Sequence, residues 1–198
     1  MKNKKIVIDI RMINHSGIGR YIKSTIPQII NKLSDVEFYL LVNELVISEK
    51  YFSDKVNFIR IDSKPYSLKE QFELLYKIPK NINLFWSPHY IFPILIKSKV
   101  LLTVHDIYHY NISANIYKNL YSRIIFYFIK IKKCQILSVS SFTKNQILQN
   151  INIKKANIKV VHNGLDKKLF NNIKSDKRDL LFCVSNIKTN KNISNLLK

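Results

Sequence analysis

Short runs of apolar, strand-forming residues recur along the whole chain and alternate with segments of helical periodicity. Several of these runs are continuously apolar, which is typical of parallel strands that are covered on both faces. Strands that alternate with helices imply right-handed βαβ crossovers. The pattern therefore predicts an α/β fold built on a doubly wound, mostly parallel sheet. The predicted strands are KIVIDI, VEFYLLV, VNFIRI, INLFWS, KVLLTV, CQILSV, IKVVH and LLFCV.

The helical segments carry recognisable start and stop signals. Ser67-Leu68-Lys69-Glu70 has the spacing of a capping box and predicts a helix start. A long helix is predicted over 113–133, and Ser141 is predicted to cap a helix that runs to about Asn150. Pro27 falls inside the first helical pattern, so we expect it to kink or shorten that helix.

Two of the three glycines stand together as Gly17-Ile18-Gly19, between the first apolar run and the first helical pattern. A glycine pair there lets the chain turn tightly and lets a ligand approach the N–H groups of the helix start. The six-residue nucleotide fingerprint is incomplete, because Tyr21 and Ile22 stand where its third glycine belongs. Both an anion site and an ordinary βα turn fit this segment.

The formal net charge is +20, of which residues 1–100 carry +7 and residues 101–198 carry +13. Such a charge suits phosphates, nucleic acid or an anionic membrane face, although a codon bias toward Lys, Asn and Ile gives the same composition. Helix-turn-helix, zinc and RNA-binding signatures are missing, so we expect no nucleic-acid partner. The aromatic residues of segment 113–133, followed by Lys130, Lys132 and Lys133, raise the hypothesis of an anionic membrane surface as partner, and a core-facing amphipathic helix is the alternative.

The N-terminus has no signal-peptide pattern, because Asp9 interrupts its apolar run and no small-residue cleavage site follows. The apolar stretch IIFYFIKI is too short to span a bilayer. We therefore predict a cytoplasmic protein that is at most peripheral on the inner face of the cell membrane. Cys134 and Cys183 lie in apolar runs and are predicted to be buried free thiols.

Four histidines follow predicted strands, where ligands bind in open parallel sheets: His89, His105, His109 and His162. His105 is followed by Asp106, whose carboxylate could fix the imidazole tautomer or raise its pKa. A single strand-end histidine also fits a structural role, with a hydrogen bond to a nearby carbonyl. Trp86 is predicted to end a strand in a loop and to line a sugar cleft. The histidines and cysteines show no metal-ligand spacing.

Six segments occur in the order typical of family 4 glycosyltransferases of the GT-B fold, and together they resemble that family: KIVIDIRM…GIGRYI, WSPHYIFP, LLTVHDIYH, ILSVSSFTKNQIL, IKVVHNGLD and LLFCVSNIKTNKNISNLL. The resemblance is to bacterial enzymes that build O-antigen, capsule or exopolysaccharide. It implies two Rossmann-like domains across a cleft and transfer of a sugar with retention. The implied donor is a GDP- or UDP-sugar, mannose among the candidates, and the implied acceptor is a lipid-linked glycan. No metal or cofactor is expected besides the nucleotide-sugar co-substrate.

The resemblance also implies roles for individual residues. The implied catalytic residues are His105 and Asp106, the implied substrate-binding residues are Gly17, Gly19, Arg20, Trp86, His89 and Ser141, and Lys191 is placed at the donor diphosphate. A fixed lysine there would neutralise the charge that develops on the leaving diphosphate without a metal. Ser140 shares the serine position, and Asn186 stands where some members of the family have an arginine.

The domain division predicted from the sequence is an acceptor-side domain over 1–165, followed over 166–198 by a linker and the truncated start of a donor-side domain. In the family, the paired-glutamate motif and the nucleotide pocket belong to that donor-side domain. We therefore expect this chain to be inactive alone. The alternative is a non-catalytic, basic Rossmann-like module that docks on a membrane or on a partner transferase.

Overall fold

The computed structural model describes residues 4–44, 51–52, 56–111, 116–164, 183 and 193–196. Within them, seven strands form a sheet in the order β3-β2-β1-β4-β5-β6-β7, and all six neighbouring pairs are parallel. This confirms the predicted doubly wound α/β fold. The strands are β1 Lys4–Asp9, β2 Val36–Val42, β3 Val56–Arg60, β4 Leu84–Ser87, β5 Lys99–Val104, β6 Gln135–Ser138 and β7 Ile158–Val160. The predicted strand LLFCV lies almost entirely outside the described residues.

Most of the helices lie between strands, as the alternating pattern predicts. They are α1 Ser16–Lys32, α2 Leu68–Lys77, α3 Tyr108–Asn111, α4 Ile116–Ile131, α5 Ser141–Ile151 and α6 Ile193–Leu196, with a 3₁₀ turn at Lys155–Asn157. The chain divides into two compact units, 1–163 and 164–198. The first unit holds the whole sheet, and α6 is the helix described in the second.

Helix α1 continues through Pro27, so the prediction of a shortened helix is wrong. Proline removes one backbone hydrogen bond from a helix interior. Here Ile22, Ile26 and Ile30 recur at intervals of four residues and are buried along one face of α1. Burial of three isoleucine side chains at about 1.5–3 kcal/mol each outweighs the missing bond.

Two serines define the starts of α2 and α5. Ser67 accepts a hydrogen bond from the Glu70 amide, as the capping box predicts. At α5 the cap is Ser140, whose Oγ accepts from the Thr143 amide at 3.1 Å, while Ser141 is the first helical residue. The prediction of Ser141 as the capping residue is therefore wrong by one position. Extended backbone at the first of the two serines is what makes it the cap.

The predicted long helix over 113–133 appears as α4, which begins at Ile116 and ends at Ile131. Lys133 adopts a left-handed backbone conformation that carries the chain out of the helix toward β6. One predicted buried thiol is confirmed, because Cys134 is buried and burial raises its pKa to about 11. The other prediction is wrong, since Cys183 is exposed.

The direction of the connections reverses between β1 and β4, which are hydrogen-bonded neighbours although β2 and β3 lie between them in sequence. Right-handed crossovers place α1 on one face of the sheet and α2, α4 and α5 on the other. A hydrogen bond from Gln71 Nε2 to Tyr121 Oη joins α2 to α4. In open α/β sheets, ligands bind at the carboxyl ends of the strands where the order reverses. The expected site is therefore at the ends of β1 and β4.

Candidate functional site

A small recess, partly open to solvent, lies at the carboxyl ends of β1 and β4. Three segments contribute to it: the end of β1 with the following link, the first turns of α1, and the residues that follow β4. Pro65, from the link before α2, completes the wall. The lining residues are Asp9, Arg11, Met12, Ile18, Ile22, Pro65, Ser87, Pro88, His89 and Ile91. The recess therefore coincides with the reversal point of the strand order.

One wall of the recess belongs to a buried ion cluster of Asp9, Arg11 and Glu70. Arg11 donates through Nε and Nη2 to the two oxygens of Asp9, at 2.9 and 2.6 Å. The same Nη2 donates to Glu70 Oε1 at 2.6 Å. The other Glu70 oxygen accepts from the Tyr66 amide at 2.8 Å and from Tyr121 Oη at 3.2 Å. The cluster therefore ties the end of β1 to α2 and α4.

Burial sets the electrostatics of this cluster. It raises the pKa of Glu70, an effect that the neighbouring Arg11 guanidinium opposes. Burial also works against the charged form of Arg11, but the two carboxylates hold its pKa above the ordinary value. Arg11 is 6% exposed and lines the recess, and among the described residues its Nη1 atom has no hydrogen-bond partner. An unsatisfied buried donor is costly, so a water or ligand oxygen that reached this atom would offset that cost.

The two glycines of the first βα connection have different surroundings. Both lie within the first turn of α1, and neither has a positive φ. A Cβ on Gly19 would stand 2.2 Å from the Ile13 carbonyl oxygen, so close packing of the link against α1 requires glycine there. A Cβ on Gly17 would meet no atom within 4 Å. Open space at a helix start leaves Gly17 as the one of the pair that a ligand can approach.

His105 follows β5 and lies beside the recess. Its Nε2 donates to the carbonyl oxygen of Pro88, a recess residue, at 3.0 Å, and its ring packs edge-on against Tyr21 of α1. A carbonyl can only accept, so Nε2 carries the proton and Nδ1 remains a hydrogen-bond acceptor. Burial lowers the pKa of His105, although the Pro88 carbonyl and the Asp106 charge work in the opposite direction. The imidazole is therefore neutral at physiological pH.

The expectation that Asp106 fixes the His105 tautomer is wrong, because the Pro88 carbonyl does so. Asp106 is exposed, and its Oδ1 instead accepts from the Tyr108 amide at 3.0 Å. The net effect on the His105 pKa is also downward, whereas a dominant carboxylate would raise it. Asp106 thus shapes the chain between β5 and α3.

His89 lines the recess directly, while Trp86 does not. The His89 ring lies against the Tyr90 ring, with 4.1 Å between centroids, and its amide donates to Ser87 Oγ. Trp86 lies within β4 and is 5% exposed, and its Nε1 donates to Thr103 Oγ1 at 3.1 Å. The prediction that Trp86 lines a sugar cleft from a loop is therefore wrong. Its apolar ring and its satisfied N–H identify it as a core residue.

The remaining predicted site residues lie away from the recess lining or outside the described residues. Arg20 and Ser141 are exposed, on α1 and at the start of α5 respectively. Thr143 Oγ1 donates to the His105 carbonyl at 3.0 Å, so the first turn of α5 does contact the His105 backbone. Lys191 and Asn186 lie outside the described residues.

Neither a metal-ligand cluster nor a helix able to span a membrane occurs in the described part of the chain. There, His, Cys, Asp and Glu side chains do not gather in groups of three that could hold a metal ion. Among the described helices, none combines the length and hydropathy that crossing a bilayer requires. The polar side chains among the residues that line the recess are Asp9, Arg11, Ser87 and His89.

The ion cluster is the part of the site that the sequence reasoning missed. From the sequence, Glu70 is recognised only as the glutamate of the Ser67–Glu70 capping box. Its hydrogen bond with Arg11 joins residues that are 59 positions apart. A usable signal does exist. Asp9 and Arg11 stand two residues apart at the end of a buried strand, where charged side chains need a buried partner or a ligand.

Two solved structures resemble this fold. A crystal structure of a glycosyltransferase from Rickettsia africae ESF-5 matches with a TM-score of 0.60 and 17% identity, over 86% of this chain and 46% of that one. The UDP-GlcNAc 2-epimerase of Methanocaldococcus jannaschii matches with a TM-score of 0.51 and 15% identity, over 79% and 44%. The chain thus covers a little under half the length of each.

Curated proteins gave no significant match to the sequence. The sequence model of Glycosyltransferase Family 4, in contrast, matches residues 50–169, which is more than half of the chain. That region includes α2, β4, β5 and the whole segment from His105 to β7. Together with the seven-stranded parallel sheet and its glycosyltransferase counterpart, this match shows that the chain belongs to glycosyltransferase family 4.

Proposed function

We propose that this chain is the acceptor-side half of a retaining glycosyltransferase that builds a bacterial surface polysaccharide. The proposed donor is a GDP- or UDP-sugar, and the proposed acceptor is a lipid-linked glycan. The observation that carries the proposal is the recess at the strand reversal, lined by Asp9, Arg11 and His89. Because the chain belongs to glycosyltransferase family 4, the proposed reaction is the transfer of a sugar.

The chemistry of the recess favours a neutral sugar as its occupant. A sugar hydroxyl both donates and accepts, so it can donate to Asp9 and accept from the unpartnered Nη1 of Arg11. Ile18 and Ile22 offer an apolar wall to the C–H groups of the ring. Two carboxylates surround one guanidinium here. An additional anionic group at this point would meet net negative charge.

His105 is assigned a role in holding the donor sugar. Its imidazole is neutral, and the Pro88 carbonyl fixes the ring, so Nδ1 can accept a hydrogen bond from a sugar hydroxyl without a change of protonation. A side chain whose orientation is fixed before the ligand binds contributes through positioning. Tyr21, packed edge-on against the ring, limits its rotation.

In the proposed reaction, the bond between the anomeric carbon and the phosphate oxygen breaks, and the acceptor oxygen bonds to the same carbon. The acceptor hydroxyl releases its proton, and a nucleoside diphosphate leaves. Charge develops on that diphosphate, and Lys191 is the residue of this chain proposed to neutralise it. The solved glycosyltransferase is more than twice as long as the part that matches. We therefore assign the nucleotide pocket to a second domain.

The test is a transfer assay on two proteins, the 198-residue chain alone and the same chain joined to the C-terminal half of a family 4 glycosyltransferase. We expect transfer from a panel of GDP- and UDP-sugars only with the joined protein. In that protein, His105→Ala should lower kcat/KM by about 100-fold, or about 3 kcal/mol. The matched control His162→Ala, at an exposed histidine that follows β7, should change it by less than a factor of two.

Three results would contradict the proposal. Robust transfer by the 198-residue chain alone would show that no second domain is needed. Equal activity of His105→Ala and His162→Ala would remove His105 from the site. A joined protein that is folded and binds vesicles, yet transfers no sugar, would favour the non-catalytic docking module instead.

A further inference from the structure

Helix α4 has two apolar faces, and only one of them packs against the sheet. Ser122, Ile125, Phe126 and Ile129 form the buried face. On the opposite side, six large apolar residues are 45–82% exposed and follow helical spacing in one row: Ile116, Tyr117, Leu120, Ile124, Tyr127 and Ile131. Single exposed apolar residues are ordinary, but a continuous row of six marks an interaction surface.

A second exposed row lies on the neighbouring helix. Leu68, Phe72 and Tyr76 recur every four residues along α2 and are 72–89% exposed. Helices α2 and α4 cover the same face of the sheet and are joined by the Gln71–Tyr121 hydrogen bond. In both helices the exposed row is opposite the buried one, so both rows face away from the sheet. We call the nine side chains of these two rows the apolar face.

All the charged side chains of α4 are basic. Arg123 and Lys130, seven residues apart and exposed, flank the α4 row on one side. Helix α4 contains no Asp or Glu, and Lys132 and Lys133 follow directly after it. Two copies that met through this face would bring these cations together, so self-association is opposed. An anionic surface, in contrast, complements them.

We propose that the apolar face docks this chain on an anionic lipid bilayer. A 16-residue helix is about 24 Å long, enough to lie in the plane of the interface with its apolar row among the lipid chains. Tyr76, Tyr117 and Tyr127 present apolar rings with polar hydroxyls, which suits the level of the headgroups. Arg123 and Lys130 then lie beside the lipid phosphates. The proposal does not depend on sugar transfer.

The experiment is sedimentation of the purified chain with two kinds of vesicle, phosphatidylcholine alone and phosphatidylcholine with one-third phosphatidylglycerol. We expect binding to the anionic vesicles only, weakened by added salt. The pair Leu120→Ser and Ile124→Ser should lower the partition constant at least tenfold. The pair Arg123→Gln and Lys130→Gln should lower it several-fold and reduce its salt dependence. The control pair Leu33→Ser and Val161→Ser, at exposed apolar positions elsewhere, should leave it unchanged.

All four serine substitutions are at exposed positions, so circular dichroism should show the same fold and similar melting in each variant. Equal binding to neutral vesicles would overturn the proposal, as would unchanged binding of the Leu120/Ile124 pair. A wild-type dimer in sedimentation equilibrium that this pair converts to monomers, without lipid binding, would instead assign the face to a second copy.

Discussion

Replacing Gly19 by alanine tests whether the first βα connection is shaped by packing. The new Cβ would stand 2.2 Å from the Ile13 oxygen and 2.8 Å from the Ile13 carbonyl carbon. Ordinary contact begins near 3.4 Å, so the backbone must separate by 1.2 Å. Ile13 is buried, and its amide donates to the Ile10 carbonyl, so this segment cannot move alone. The obstructing atoms belong to the backbone, for which no rotamer change gives relief.

The expected loss of stability follows from two opposing effects. Overpacking of this kind costs up to about 3 kcal/mol. Alanine regains about 1 kcal/mol over glycine through its helix propensity. We therefore expect Gly19→Ala to lower the free energy of unfolding by about 2 kcal/mol, which corresponds to about 4–8 °C in Tm for a domain of this size.

The assay is urea denaturation followed by circular dichroism, with Gly17→Ala as the matched control. Gly17 has open space around the Cβ position, so its alanine variant should be as stable as the wild type or up to about 1 kcal/mol more stable. An unchanged midpoint for Gly19→Ala would refute the packing argument. Because Gly17→Ala keeps the fold, any loss of ligand affinity in that variant reports on ligand approach alone.

Three further perturbations test other parts of the structure. Arg11→Ala leaves two buried carboxylates without a cation and should destabilise the fold by about 3–5 kcal/mol, whereas Arg60→Ala breaks an exposed pair and should cost less than about 1 kcal/mol in the same urea titration. Burial holds the pKa of His105 below 6.5 in the folded chain, so the folded state favours the neutral imidazole. The stability that this imidazole contributes is therefore complete above pH 6.5 and is lost as pH falls through the folded pKa. NMR titration should show this pKa, and His105→Gln should flatten the pH dependence of stability in that range. Ser140→Ala should cost about 1 kcal/mol in thermal denaturation because it removes a helix cap, and Ser141→Ala should cost almost nothing; equal losses would contradict the assigned cap.

Sequence patterns predict the elements of this fold well because the elements depend on local chemistry. The runs VEFYLLV and KVLLTV correspond residue for residue to β2 and β5, and Ser67 caps α2 as its spacing indicates. Buried parallel strands are continuously apolar, and a cap depends on residues three positions apart. The six family motifs also occur along the chain in the family's order, so the resemblance to the family can be recognised without a structure.

Features that depend on contacts between distant segments were not predictable in this way. Trp86 lies near the end of a predicted strand and His89 follows the same strand. Trp86 is in the core and His89 lines the recess, because strand β4 ends at Ser87. The partner of Arg11 on α2 is fixed by the docking of a helix, which no local pattern encodes. The same holds for the carbonyl of Pro88 that orients His105.

The ion cluster also affects local unfolding of the domain. Glu70 of α2 has its cationic partner, Arg11, just after β1, so separating α2 from β1 would leave this buried carboxylate without its counter-charge. The Tyr66 amide, which precedes α2, is held by the same Glu70 carboxylate. We therefore expect the wall of the recess and the start of α2 to exchange amide hydrogens as one cooperative unit, and a ligand bound at Arg11 to slow exchange in a helix that it does not touch.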